Sequence, residues 1–123
     1  MKTASPHVLL LAGGISHERD VSLRSGRRVA DALTEQGIAV DLRDADANLL
    51  DHIAESAPDA IWPVLHGACG EDGSLFAILE YVGIPFVGSA STSARLAWDK
   101  PIAKTIVARA GLSTPASITL PRD

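Results

Sequence analysis

The sequence predicts an α/β domain, Rossmann-like and three-layered, built on a four-stranded parallel sheet. Short apolar runs recur four times with helix-period segments between them, as expected of crossover units. The first run, residues 8–11, is continuously apolar, like a strand buried on both faces. Glycines stand where strands hand over to helices or helices stop, at Gly13, Gly14, Gly37 and Gly83.

The elements follow in order. Residues 8–11 run into Ala12-Gly13-Gly14 and form the first strand. Beyond it, Val21, Ser25, Val29, Ala32 and Leu33 share one helical face, with Arg19, Arg24, Arg27, Arg28, Asp31 and Glu35 largely elsewhere. Gly37 stops that helix, since the residue after a last turn often takes a left-handed backbone. Residues 38–43 alternate like a half-buried second strand, and 47–56 carry a weaker helical stripe of Leu49, Leu50, Ile53 and Ala54. Residues 59–65 read as a third strand in which Pro63 forbids one ladder bond, marking an edge or the strand's end. Leu75, Ile78, Leu79 and Val82 predict a helix ending at Gly83, residues 84–88 a short fourth strand, and 91–98 another helix. Asp99 is placed to cap the next helix, with Pro101 in the first turn, where its missing N–H does little harm, and Gly111 at the end. A possible strand, 116–120, comes last. The composition changes near residue 99, so 1–98 are expected to form one domain and 99–123 the entry into another.

A chain of 123 residues suffices for one domain with a real core and is too short for two ordinary ones. With 46% hydrophobic and 21% charged residues it is globular in composition. A formal net charge of -4 argues against nucleic acid as the main partner, because phosphate binding requires a clustered basic surface. The single cysteine, Cys69, excludes an internal disulfide and fits a reducing compartment. The stretch "VLLLA" falls far short of a signal core or of the roughly 20 residues of a membrane span, so a cytoplasmic protein is expected, with no membrane partner.

Open parallel sheets bind ligands beyond the carboxyl ends of their strands, here the segments after strands one and three. In the first, "GGISHERDVSLRSG", neither the dinucleotide fingerprint nor the nucleotide P-loop is present. Gly13 and Gly14 allow a tight turn, and Ser16 can cap the helix. A phosphate would meet Glu18 at short range and be repelled. An ammonium group suits that carboxylate better; the other reading is that Glu18 and Asp20 merely complement the positive helix end. In the second segment, "HGACGEDGSL", His66 could donate to a substrate carboxylate or act as acid or base, or it could satisfy the loop's own carbonyls. His66 and Cys69 have a ligand-like spacing, but no second pair completes a zinc set. Lys100 and Lys104, one turn apart, form either a solvated basic face or a contact to nucleotide phosphate.

Taken together, these segments resemble the D-alanine–D-alanine ligases of bacterial cell-wall synthesis. "GGISHERDVSLRSG" is similar to that family's first motif, "HGACGEDGSL" to its second, "GIPFVGS" to its third, and "DKPIAKTIVARAGLSTP" to the start of its central domain. The resemblance implies a pre-ATP-grasp domain followed by the beginning of an ATP-grasp domain. It implies ATP-dependent joining of two D-alanines through an acyl phosphate, for peptidoglycan synthesis and cell shape, in a homodimer using magnesium or manganese. It places Glu18 on the first D-alanine's ammonium and Val21 against its methyl group. His66 falls near the carboxylate being activated, and Lys100 at the ATP phosphates. The metal ligands, adenine pocket and second D-alanine site belong to segments not present, so the 123-residue stretch is expected to be inactive alone. Phe76 and Ala77 depart from the family's usual Gln-Gly after the second motif. A related D-lactate or D-serine ligase and a stand-alone α/β binding module are the alternatives.

Overall fold

The computed structural model describes residues 5–121. Strand β1 (His7–Ala12) is followed by α1 (Arg19–Glu35), β2 (Ala39–Asp44), α2 (Leu49–Ser56) and β3 (Ala60–Pro63). Four helices complete the chain: α3 (Ala68–Glu71), α4 (Ser74–Val82), α5 (Ser91–Trp98) and α6 (Lys100–Arg109). The sheet has three strands in the order β2-β1-β3, all parallel. β1 pairs with β2 from His7↔Ala39 to Ala12↔Asp44 and with β3 from Val8↔Ala60 to Leu11↔Pro63.

As its unbroken apolar run predicts, β1 is the central strand, and Leu9, Leu10 and Leu11 are completely buried. Leu9 and Leu11 join Leu49, Ile53, Ile61, Leu65, Leu75 and Leu79 in one cluster, which α2 and α4 close. Leu10 and Ala12 lie on the opposite face, toward α1. There the predicted helical stripe is turned by about one residue: the buried positions of α1 are Ser22 and Gly26. A Cβ on Gly26 would fall 2.6 Å from that of Ala12, so the helix rides close on the sheet through its smallest residues. The expected stripe of Ser25, Val29, Ala32 and Leu33 lines an open groove of about 580 Å³ beside Trp62 instead.

The expected fourth strand is not a strand. Residues 84–88 meet β3 through one isolated bridge, Ile61↔Phe86, made by Ile61 N–H to the Pro85 carbonyl and Val87 N–H to the Ile61 carbonyl, both 2.9 Å. The next ladder bond would need an N–H from Pro63, which has none. The segment is held by packing instead, with Phe86 stacked on Phe76 at 5.6 Å between ring centroids. Residues 116–120 likewise form no strand; Ile118 and Leu120 are largely exposed. Lys104 Nζ donates to the Pro115 carbonyl, fastening the start of that tail to α6 rather than to a sheet edge. At the α5–α6 junction Asp99 does cap α6, accepting from Ile102 N–H at 3.1 Å, with Pro101 in the first turn. Among the described residues no helix is long and apolar enough to cross a membrane.

Candidate functional site

The turn after β1 uses Gly13 and Gly14 at φ +99° and +75°, backbone that side chains rarely adopt. It is held by Asp44 at the end of β2. Asp44 Oδ1 accepts Gly14 N–H at 2.8 Å, and Asp44 Oδ2 lies 2.6 Å from Arg19 Nη1, which also donates to the Gly14 carbonyl at 2.9 Å. Burial pushes the Asp44 carboxyl up, but the Gly14 N–H and the Arg19 guanidinium outweigh it and hold the group below the ordinary carboxylate range. Ser22, fully buried, accepts Gly13 N–H at 2.9 Å and donates to the Val64 carbonyl at 2.5 Å, joining the ends of β1 and β3 through α1.

Ser16 does not cap α1 in the expected way. Its hydroxyl accepts Glu18 N–H at 3.1 Å and donates to the His66 carbonyl at 2.7 Å, so it ties the two loops together. Glu18 becomes the N-cap, without a capping bond from its side chain. Its carboxylate reaches across to the second loop, where a Cβ on Gly67 would fall 3.0 Å from Glu18 Oε2. Among the described residues no cation pairs with it. On the far side of Gly67, Glu71 Oε2 accepts the Gly67 N–H at 3.2 Å. The His66 ring, one residue before Gly67, has Nδ1 3.9 Å from Glu71 Oε1 and Nε2 3.4 Å from Ser25 Oγ.

The predicted residues are thus grouped as follows. Glu18 Oε2 approaches Gly67, the residue that follows His66 in the second loop. Val21 follows Glu18 by three residues, which puts it on the same side of α1 and leaves it partly open to solvent. Lys100 is at the start of α6, over the Trp98 ring at 5.9 Å, and lines a cavity of about 490 Å³ with Glu71, Leu65, Phe76 and Trp98. It belongs to a neighbouring hollow that shares Glu71 with the His66 loop, not to the Glu18 mouth itself.

Sequence reasoning missed Ser22, Ser25 and Asp44. Two serines one helical turn apart behind a glycine turn, and an acid closing the second strand, were the available signals. The short α3 was missed as well: with Gly70 inside four residues it has no helical periodicity. Gly70 is required there by space, since a Cβ would lie 2.4 Å from that of Leu65. Among the described residues, no three His, Cys, Asp or Glu side chains gather as a metal set.

A parallel sheet with glycine loops over its carboxyl ends is the architecture of α/β ligand-binding domains. The comparisons narrow that class. Residues 41–89 match the family model for the D-ala D-ala ligase N-terminus. The chain is 43% identical over 116 residues to the D-alanine–D-alanine ligase of Brucella anthropi, covering 94% of this chain and 38% of that protein. It is 42% identical over 120 residues to that of Rhodopseudomonas palustris, covering 98% and 39%. Among solved structures it superposes on the ATP-complexed D-alanine–D-alanine ligase from Bacillus anthracis with a TM-score of 0.77 at 30% identity, covering 91% of this chain and 38% of that one. For the ligase from Aeromonas hydrophila the TM-score is 0.81 at 26% identity, covering 94% and 50%. Over this region the chain is homologous to the N-terminal part of D-alanine–D-alanine ligases. It spans 38% of the length of the Brucella relative.

Proposed function

We propose that the chain supplies the first-substrate side of an ATP-dependent D-alanine–D-alanine ligase. The observation that carries this reading is the Glu18 carboxylate, overhanging Gly67 with no cation on it, while the one cation of the turn, Arg19, is engaged by Asp44. Two carboxylates, Glu18 and Glu71, flank the mouth, which favours an ammonium and disfavours a phosphate. Glu18 would hold the ammonium of the first D-alanine and Val21 would border its methyl group. His66, positioned by Ser25 and Glu71, would hydrogen-bond its carboxylate and orient it for activation. ATP supplies the phosphoryl group that activates this carboxylate; Lys100, exposed beside the adjoining cavity, would contact its phosphates. Lys100 is one cation and not a nucleotide site, and the magnesium or manganese of the reaction would be held by residues outside this chain.

The same reading takes residues 1–98 as a Rossmann-like, pre-ATP-grasp substrate domain and 99–123 as the opening of the ATP-grasp domain. It places the protein in the cytoplasm, in peptidoglycan synthesis, as a homodimer. The exposed apolar side chains Ile15, Leu50, Ile78 and Tyr81 offer a surface for the second copy.

The test is a D-alanine titration of the 123-residue chain followed by amide chemical shifts. D-Alanine is expected to perturb Glu18, Val21 and His66, and Glu18→Gln is expected to weaken binding at least about tenfold, corresponding to about 1.4 kcal/mol. Equal affinity in Glu18→Gln would reduce Glu18 to a helix-end charge.

A further inference from the structure

The cation next to Glu18 in sequence is turned away from it. Arg19 Nη1 lies against Asp44 Oδ2 and the Gly14 carbonyl, and Asp44 Oδ1 takes the Gly14 N–H, so the three groups close a ring around Gly14. The ring sits flat on the turn: a Cβ on Gly13 would fall 2.6 Å from Asp44 Oδ1 and 2.8 Å from Arg19 Nη1. The Arg19 side chain is 46% exposed, so packing does little to hold it there. What fixes its direction is the Asp44 charge, together with the one carbonyl. Without that charge, the anions next to it along the chain are Glu18, the N-cap of the same helix, and Asp20 in its first turn; of the two, Glu18 is the one that reaches the Gly67 loop. A guanidinium on Glu18 would occupy the place proposed for a substrate ammonium. The Glu71 carboxylate, which accepts the Gly67 N–H, adds a second negative charge beside that place.

We propose that Asp44 is a positioning residue for the amino-acid site. It sequesters Arg19 behind the glycine turn and thereby keeps the Glu18 carboxylate free. Where the substrate is concerned this rests on the D-alanine reading; where Arg19 is concerned it does not.

Asp44→Asn is the suitable perturbation, because the amide oxygen can still accept the Gly14 N–H while the charge is lost. In the labelled 123-residue chain, nuclear Overhauser contacts of the Arg19 side chain are expected to move from Gly14 to the Glu18 methylenes in D44N. D-Alanine affinity is expected to fall about tenfold in D44N, as a competing ion pair must be broken. Adding Arg19→Gln to D44N is expected to recover most of that loss, and Arg19→Gln alone to bind nearly as well as the double variant. A clamp that only stiffens the turn would make the double variant at least as weak as D44N, and that result overturns the proposal. An Arg19 side chain that swings into solvent in D44N overturns it too. If Arg19 settles on Glu18 in D44N while the unaltered chain binds no D-alanine, sequestration stands and the substrate reading falls. Asp44→Ser, which also keeps an acceptor oxygen, replaces D44N should the latter lose its folded amide spectrum.

Discussion

The loop after β1 and the loop after β3 are both rich in glycine, but glycine meets a different demand in each. Gly13 and Gly14 are required first by backbone angle, at φ +99° and +75°, and the charged side chains from β2 and α1 that hold their turn also fill the place of a Gly13 side chain. Gly70 is required by volume, because α3 lies so close over Leu65 that a Cβ would sit 2.4 Å from the leucine's own. Gly67, like Gly13, combines the two, with φ +79° and the Ser16 and Glu18 side chains where its own would be. The first loop is built to deliver a side chain, Glu18. The second is built to withhold one, leaving floor space under that carboxylate.

The largest way to break this pairing is to cut what joins the loops. The Ser22 hydroxyl serves the Gly13 N–H and the Val64 carbonyl with no exposure to water. Ser22→Ala orphans both, at about 1–3 kcal/mol for each buried group. Urea unfolding of the chain should register this as a large drop in midpoint at unchanged slope. A loss no larger than that of a surface substitution would mean that the two loops are held independently.

The next test separates backbone angle from crowding. Gly67 and Gly37 have nearly the same φ, +79° and +77°, but a Cβ on Gly37 meets nothing within 4 Å, whereas one on Gly67 meets Ser16 Cβ at 2.9 Å and Glu18 Oε2 at 3.0 Å. Gly67 also has ψ -168°, a region essentially confined to glycine. Gly67→Ala should cost about 1–3 kcal/mol and displace Glu18, with a matching loss of D-alanine affinity. Gly37→Ala should be the milder change and leave affinity alone. Equal losses of affinity in both would detach Glu18 from the second loop.

The two loops also differ in how far the sequence revealed them. β1 was legible because four consecutive apolar residues have few other places to go in a small α/β domain. The Gly37 and Gly83 helix stops and the Asp99 cap were legible because each depends on one residue's local chemistry, and φ at both glycines is positive. The fourth strand was not: its apolar run is real, but strandhood needs a donor from across the gap, and Pro63 lies there. The buried side of α1 was misjudged for a similar reason. Periodicity picks out large apolar residues, while close approach to Ala12 selects Ser22 and Gly26. Of the site, the acid Glu18 and His66 could be singled out as chemical groups. The approach of Glu18 to Gly67 and the Asp44 clamp could not, since both join residues about 25 or more positions apart and depend on the register of three strands.

The smallest expected effect sharpens the contrast in charge. Asp44 and Glu71 each accept a glycine N–H in their loop, but Asp44 also carries a guanidinium at 2.6 Å, while among the described residues Glu71 has only the His66 ring, at 3.9 Å, within ion-pair distance. Glu71→Gln keeps an oxygen for the Gly67 N–H and removes a charge that no arginine or lysine neutralises at ion-pair distance among the described residues. Stability should therefore change by less than about 0.5 kcal/mol, as at an ordinary surface position. The Gly67 amide should exchange at the same rate as in the unaltered chain. If Glu71→Gln instead unfolds the loop, seen as fast exchange at Gly67 and Gly70, then the second loop depends on charge as the first does. Glycine packing against Leu65 would then be insufficient to hold α3 in place.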